Sequence, residues 1–474
     1  MSDLEICRMS AAEMAKAIRT RELSPVEIMD AVLSRIERLN PKVNAYCTLV
    51  AESAREQARE AETMVMTGKK LGRLHGVPVS IKDLSFTKDI RTTFGSKMYE
   101  GFVPDEDAVV VERLKAAGAI VVGKTNTPEF GFMGVTDSLL FGPTRNPWNL
   151  DYNSGGSSGG AAAAVASGMG SLAIGSDGGG SIRIPSSFCG VFGFKPSFGR
   201  VPLGPGTPGS ASAVSTSCVG PITRTVRDAA LAMEIIAGRD DRDRLSLPET
   251  RLRYLPSLGT DLKGLRIAWS ADLGYAVVDP RVLETTAAAV KAFGTLGCTL
   301  EAASPDAENP GRIFGTGWGV SYAARMQDRL EEWREQMHPG LVRLIEQGKN
   351  VLATEYATAI AGREDYWNEI RPFFEKYDLL LTPTVAVPPL EVGQFAVTEI
   401  AGVKGLPAMD WIPFTYPFNM TGQPAASVPC GWTDDGLPIG LQIVGRRFDD
   451  ATVLRAAAAF EQAAPWADRW PPLD

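Results

Sequence analysis

The sequence predicts an α/β protein built on a parallel or mixed sheet, and three observations carry that prediction. Residues 77–81 alternate as an apolar strand, 106–117 form a helical stretch closed by Gly118, and 119–122 are a short, fully apolar strand. Strand, helix, strand is a crossover unit, and such units are right-handed. At 474 residues, with 44% hydrophobic and 22% charged side chains, the chain also has a globular composition and the length for a large buried core.

The first seventy residues read as a helical segment, 1–70, that packs on the rest. Ser10 with Glu13, and Ser24 with Glu27, each fit a capping box, and the second has Pro25 at the first helical position. Val26, Met29, Val32, Leu33 and Ile36 then make one apolar stripe, and Asn40-Pro41 is expected to end it. Residues 51–67 form a charged helix whose acids are a solvated face, not an acid/base pair.

The α/β pattern begins near residue 74. Lys82 and Asp83 end the first strand, and Gly123, Lys124, Thr125 and Asn126 lie just past the second. Further on, 264–269 is a strand, 282–296 an apolar-striped helix and 298–302 another strand. Residues 305–376 are mostly helical and rich in aromatics, among them Phe314, Trp318, Tyr322 and Tyr356. A second aromatic group holds Trp411, Phe414, Tyr416 and Phe418.

Several function classes fall away. A net charge of −8 argues against a nucleic-acid partner. No apolar run spans a bilayer, and the opening residues lack a secretory pattern. The six cysteines are scattered, which reads as reduced thiols in a cytoplasmic protein and not as a metal site. Gly168, Met169 and Gly170 imitate a dinucleotide fingerprint but follow a helix, the reverse of what phosphate binding needs. Neither glycine cluster ends as a nucleotide loop does, and no cofactor is expected.

The chemistry concentrates in 153–183. Gly155-Gly156-Ser157-Ser158-Gly159-Gly160 and Gly178-Gly179-Gly180-Ser181 flank an alanine run. Clustered glycines allow close backbone approach, and their unshielded N–H groups can converge on a developing oxyanion. Ser181 is thus placed like a nucleophile, with Gly178, Gly179, Gly180 and Ser181 as its oxyanion donors. A serine needs a base. His75 and His338 have no obvious partner chemistry, His338 lying in a charged, exposed-looking segment. Lys82, delivered to a strand end, is more suggestive. On spacing alone it is equally a solvated lysine at a loop start.

These residues resemble the amidase signature family. The resemblance rests on Lys82, on both glycine–serine clusters, and on the run from Asp177 through Pro185. It also takes in Asn146-Pro147-Trp148-Asn149, the stretch 188–196, and near the end 422–429 and 436–442. It covers nearly the whole chain. It implies a single large α/β domain over 71–474, a central twisted mixed β-sheet covered by helices on both faces. The signature core spans about 74–235 and a substrate funnel about 305–420. It also implies hydrolysis of amides and some esters and carbamates, with Ser181 as nucleophile, Ser157 as a bridging serine on a cis peptide and Lys82 as base. A homodimer is open under it, and Lys124 has no catalytic role. The family often has an apolar residue or threonine where Gly178 stands, a departure that removes no donor.

Around that core, Asp177 and Arg183 are expected to form a structural ion pair, and Ser158 and Ser154 to bond to backbone. Phe132, Met133 and Gly134 line an acyl pocket or are ordinary core, and Gly156 and Trp318 join them as candidate substrate contacts. The two aromatic groups point to an apolar or aryl amide as the small-molecule substrate, with carbamates (urethanase activity) and esters in reach of the same acyl chemistry. Two alternatives compete: the glutaminase A-type subunit of a tRNA-dependent amidotransferase, and a catalytically silent binding protein of the same fold. The first is weakened because 214–220, from Val214 through Gly220, stands where that subunit typically has a Ser-Leu-Asp-Gln run. The second is weakened by the intact Lys82, Ser157 and Ser181.

Overall fold

The computed structural model describes residues 1–206, 215–248 and 253–473; Val214 lies outside them. Eleven strands form one mixed sheet. In chain order they are β1 (Tyr46–Leu49), β2 (Pro78–Lys82), β3 (Ile120–Thr125), β4 (Leu172–Asp177), β5 (Phe192–Lys195) and β6 (Cys218–Thr223). They continue with β7 (Arg266–Trp269), β8 (Thr299–Ala302), β9 (Leu379–Pro383), β10 (Ala425–Trp432) and β11 (Pro438–Gly445). Across the sheet the order is β1-β3-β2-β4-β6-β5-β10-β11-β9-β7-β8. The crossover unit is present: β2 is parallel to β3 and to β4. From β4 to β9 every neighbouring pair is antiparallel, and β7 is parallel to both β9 and β8. Helices cover both faces, and one large apolar cluster runs from the N-terminal helices through the sheet to the C-terminal helix.

Before the first glycine cluster come α1 (Asp3–Arg8), α2 (Ala11–Thr20), α3 (Pro25–Val43), α4 (Ala51–Met66) and α5 (Val109–Ala116). Both capping boxes form, with Ser10 and Ser24 accepting from the backbone of Glu13 and Glu27. The stripe on α3 is buried from Ile28 to Val43. Three sequence expectations are corrected here. Asn40-Pro41 does not end α3. Pro41 falls in its last turn and the helix runs on to Val43, while the Asn40 side chain accepts from the N–H groups of Ala45 and Tyr46. That turn leads into β1, an edge strand antiparallel to β3, so the first seventy residues are not all helical. The third correction concerns β3, which continues through Gly123, Lys124 and Thr125 and carries Lys124 into the core instead of leaving it past the strand.

The remaining helices are α6 (Gly159–Ala166), α7 (Arg183–Cys189), α8 (Val226–Ile236), α9 (Pro280–Val290), α10 (Gly311–Trp333), α11 (Pro339–Lys349), α12 (Ala353–Lys376), α13 (Tyr416–Met420) and α14 (Asp450–Ala463). The alanine run is α6, buried along its whole length, where small side chains let it sit close against the sheet. Helices α10, α11 and α12 leave the sheet after β8 and return at β9, two strands that both pair with β7. No helix among the described residues is long and apolar enough to cross a membrane.

Candidate active site

Sheet register builds the site. Parallel pairing sets Ile81 beside Ile174, so Lys82 at the end of β2 and Ser176 near the end of β4 emerge on the same edge of the sheet. Strand β6 runs the other way, with Cys218 opposite Asp177, and so brings residues 215–217 to that edge too. Open α/β sheets bind ligands beyond such strand ends.

Lys82 is fully buried, and its Nζ lies 2.7 Å from Ser157 Oγ and 3.1 Å from Ser176 Oγ. Burial drives its pKa well below the ordinary lysine range, against the opposing pull of the Asp177 carboxylate. Ser157 follows a cis Gly156–Ser157 peptide, just ahead of α6. Only glycine fits at 156: a Cβ there would come within 2.6 Å of the Val135 carbonyl carbon. Gly156 is thus packed against backbone and is not among the residues lining the cavity. The two glycine clusters are tied together where Ser158 N–H donates to Ser181 O at 3.1 Å, while Ser158 Oγ donates to Ser176 O at 3.1 Å. Ser154 Oγ donates to Gly155 O.

Ser181 opens onto a cavity of about 610 Å³ shared with Ser157, Ser176 and Gly178. It is 9% exposed where Lys82 is 0%, so the serine meets solvent and the lysine does not. Asp177 and Arg183 form a two-pronged ion pair at 2.9 and 3.0 Å, both side chains fully buried. The other Arg183 bonds go to Thr415 O, Gln442 Oε1 and Asn419 Oδ1, so every guanidinium direction finds an acceptor. Burial alone would raise the Asp177 pKa; the charge and bonds of Arg183, with Lys195 and Asn419, outweigh it and hold the carboxyl below the usual range.

The glycine loop differs from the expected set of donors. Gly180 N–H donates to Asp177 Oδ1 at 2.7 Å and is not available to a ligand. The N–H groups of Gly178, Gly179 and Ser181 have no acceptor among the described residues.

Phe132, Met133 and Gly134 do not line the cavity; Phe130 and Gly131, just before them, do. Phe132 packs on the His338 ring, Met133 joins the core cluster around β9, and a Cβ on Gly134 would meet Trp411 at 2.8 Å. The chain bends at Phe130, whose φ is +50°, so the apolar run turns away one residue after Gly131. Trp318 does line the cavity, and its indole N–H donates to Phe132 O at 3.2 Å. Phe314 stacks on Trp318 at 5.4 Å, and both overhang the glycine loop: a Cβ on Gly179 would lie 2.7 Å from Phe314. Trp411, Phe414, Tyr416 and Phe418 are buried behind this wall, Tyr416 stacking on Phe314 at 5.2 Å.

The remaining candidates lie outside the cavity. His75 is buried and bonds to Ala61 O. His338 is half-buried, not exposed, because it caps α11: its Nδ1 accepts from Gly340 N–H and its own N–H donates to Glu129. Lys124 donates to Ser85 O, Thr87 Oγ1 and Thr92 Oγ1, and burial lowers its pKa to about 8 against the pull of Asp83. All six cysteines are free, and among the described residues no group of His, Cys, Asp or Glu could hold a metal ion. Sequence reasoning missed Ser176, Thr216 and Thr415. A lone serine at a strand end and two lone threonines form no pattern; only the strand register, pairing Asp177 with Cys218, could have pointed to the segment before β6.

Comparison with known proteins agrees with this architecture. The Amidase family profile matches residues 27–454. An acylamidase of Rhodococcus erythropolis is 42% identical, the match covering 99% of this chain and 98% of that protein. The A-type subunit of the glutamyl-tRNA(Gln) amidotransferase of Moorella thermoacetica is 38% identical over 99% of both. The crystal structure of a bacterial aryl acylamidase of the amidase signature enzymes superposes with a TM-score of 0.91 at 33% identity, covering 97% of each chain. The chain belongs to the Amidase family, the amidase signature enzymes.

Proposed function

We propose that this chain hydrolyses the carbon–nitrogen bond of aryl or alkyl amides through an acyl-enzyme on Ser181, with Ser157 relaying protons to Lys82. The observation that carries the reading is a fully buried lysine 2.7 Å from Ser157 Oγ, beneath a cavity into which Ser181 opens. An ordinary lysine, with a pKa of about 10.4, is a protonated acid at neutral pH. Burial favours the neutral amine, whose lone pair takes a proton. Ser157 hands its proton to Lys82 as it receives that of Ser181. The Ser181 oxygen attacks the amide carbonyl, and backbone N–H groups of the glycine loop take the oxyanion. The relay returns the proton to the leaving amine, the C–N bond breaks, and water releases the acid by the same route. No hydrogen bond links the two serine hydroxyls in this structure; the relay closes when substrate orients Ser181, as catalytic bonds tighten in the reacting complex.

Within this reading the chemistry sits in residues 74–235, and the α10–α12 region supplies the specificity wall. The stacked Phe314 and Trp318 over the nucleophile loop favour a flat, apolar group beside the scissile bond. Carbamates and esters fit the same acyl transfer. The test is turnover of p-nitroanilide, p-nitrophenyl ester and aryl carbamate substrates by the chain alone, beside Ser181→Ala. Activity that vanishes in Ser181→Ala supports the reading. Ammonia release from glutamine only when a partner protein is added would replace it with the amidotransferase function, the activity named for the Moorella relative. For the wall, Trp318→Ala is expected to raise KM for an anilide by about tenfold, the scale of one aromatic contact, while a short aliphatic amide barely responds. Equal effects on both would remove the aryl preference.

A further inference from the structure

Two threonine hydroxyls from distant segments donate to consecutive carbonyls of the glycine loop. Thr216 Oγ1 reaches Gly178 O at 2.7 Å, and Thr415 Oγ1 reaches Gly179 O at 2.7 Å. These peptide units are trans, and in a planar trans unit the C=O and N–H point in opposite directions. Holding Gly178 O therefore fixes where Gly179 N–H points, and holding Gly179 O fixes where Gly180 N–H points. The second plane is pinned at both ends, because Gly180 N–H terminates on Asp177 Oδ1 at 2.7 Å. The first is pinned only at its carbonyl, and Gly179 N–H has no acceptor among the described residues.

Neither threonine is loose. The Thr216 carbonyl accepts from Asn419 Nδ2 at 3.1 Å, and the Thr415 carbonyl accepts from Arg183 Nη1 at 2.9 Å. Asn419 and Arg183 both bond to the Asp177 carboxylate. One buried charge network thus anchors both hydroxyls and, through them, two successive peptide planes beside the nucleophile.

We infer that Thr216 and Thr415 are positioning residues that aim the oxyanion donors. Thr216 turns the Gly179 N–H toward the substrate carbonyl oxygen beside the Ser181 N–H, and Thr415 with Asp177 withdraws the Gly180 N–H. The inference rests on the reading of Ser181 as nucleophile. The acting donors then include Gly179 and Ser181 and exclude Gly180, whose N–H is committed to Asp177, a narrower set than the four residues of the motif.

The test uses the purified full chain with Thr216→Val, which removes the donor and keeps the shape, Thr216→Ser, which keeps the donor, and the same pair at Thr415. The readouts are kcat and KM on an anilide, and Ki for an aryl trifluoromethyl ketone, whose adduct with Ser181 places an alkoxide where the oxyanion forms. Thr216→Val is expected to lower kcat about tenfold with KM within about twofold, less than the about 10²–10³-fold cost of deleting a donor outright. Ki should rise by the same factor as kcat falls, and Thr216→Ser should restore both. Thr415→Val should move the same quantities in the same direction. A merely structural threonine would not weaken the ketone adduct selectively. If Thr216→Val does not fold, judged by its melting curve, Thr216→Ala takes its place. Wild-type kcat and Ki in a folded donor-less variant would overturn the inference alone, provided Ser181→Ala is inactive. A wild type with no turnover would overturn the reading of the site and this inference with it.

Discussion

Lys82→Met is expected to leave an anilide poorly hydrolysed, a loss of about 10²–10⁴-fold in kcat, the range that general acid–base groups supply. The variant is the informative one because it keeps the length and apolar stem of the side chain and removes only the amine. It also separates catalysis from stability. The folded pKa of Lys82 is depressed by burial, so between that value and the unfolded one of about 10.4 the unfolded chain binds a proton the native chain does not. Lys82 therefore lowers stability at neutral pH, and that penalty fades as pH rises toward the unfolded value. The melting temperature of Lys82→Met relative to wild type should be highest near neutrality and fall as pH approaches 10. The wild-type rate should rise with pH and level off below the range of an ordinary lysine. A rate still climbing at the ordinary lysine pKa would remove Lys82 as the base.

Arg183→Met is expected to cost about 3–5 kcal/mol of stability, the price of leaving one partner of a buried ion pair uncompensated. The charged part of the cost falls on Asp177, which is fully buried and bonded on both oxygens to the arginine, while Thr415 O, Gln442 Oε1 and Asn419 Oδ1 each lose a donor. The pH dependence distinguishes this from simple loss of packing. In the wild type the Asp177 pKa is held down, so its contribution is present above the unfolded carboxylate range and lost only as pH falls through the lower folded value. Without Arg183, burial raises that pKa instead, and the unpaired carboxylate penalises the fold most at neutral pH. The deficit of Arg183→Met, measured by denaturant unfolding, should shrink as pH is lowered and Asp177 takes up a proton. A deficit constant across pH would assign the loss to packing.

The fold was legible where local chemistry and pattern agree. The capping boxes at Ser10 and Ser24, the crossover from β2 to β3 and the helical run of 305–376 are each written in a few neighbouring residues. The errors arose where a residue's setting overrode its type. Pro41 reads as a stop, yet α3 runs past it to Val43 at the loss of one backbone hydrogen bond, and the Asn40 side chain holds the exit. Lys124 reads as the end of a strand because of its charge, yet three oxygens meet it inside the core. At the site, glycine–serine clusters and a lysine at a strand end were visible as a motif. What the motif could not carry was direction. The commitment of Gly180 N–H to Asp177, and the turn at Phe130 that replaces Phe132–Gly134 with Phe130 and Gly131 in the cavity, are facts of backbone angle. Ser176, Thr216 and Thr415 act through strand register and contacts between segments far apart in sequence.

The excursion of α10, α11 and α12 departs from β8 and re-enters at β9, with only β7 between the two strands. The proposed catalytic groups come from β2, β4 and the two glycine clusters, while much of the aromatic lining of the cavity comes from this one insert. Substrate wall and proposed chemistry therefore draw on different segments, which meet where Phe314 and Trp318 pack on the glycine loop. An insert that enters and leaves at nearby strands can change in length without reordering the sheet. For engineering, diversity belongs on the inner faces of α10 and α12, and the loops that hold Ser157 and Ser181 are best left as inherited.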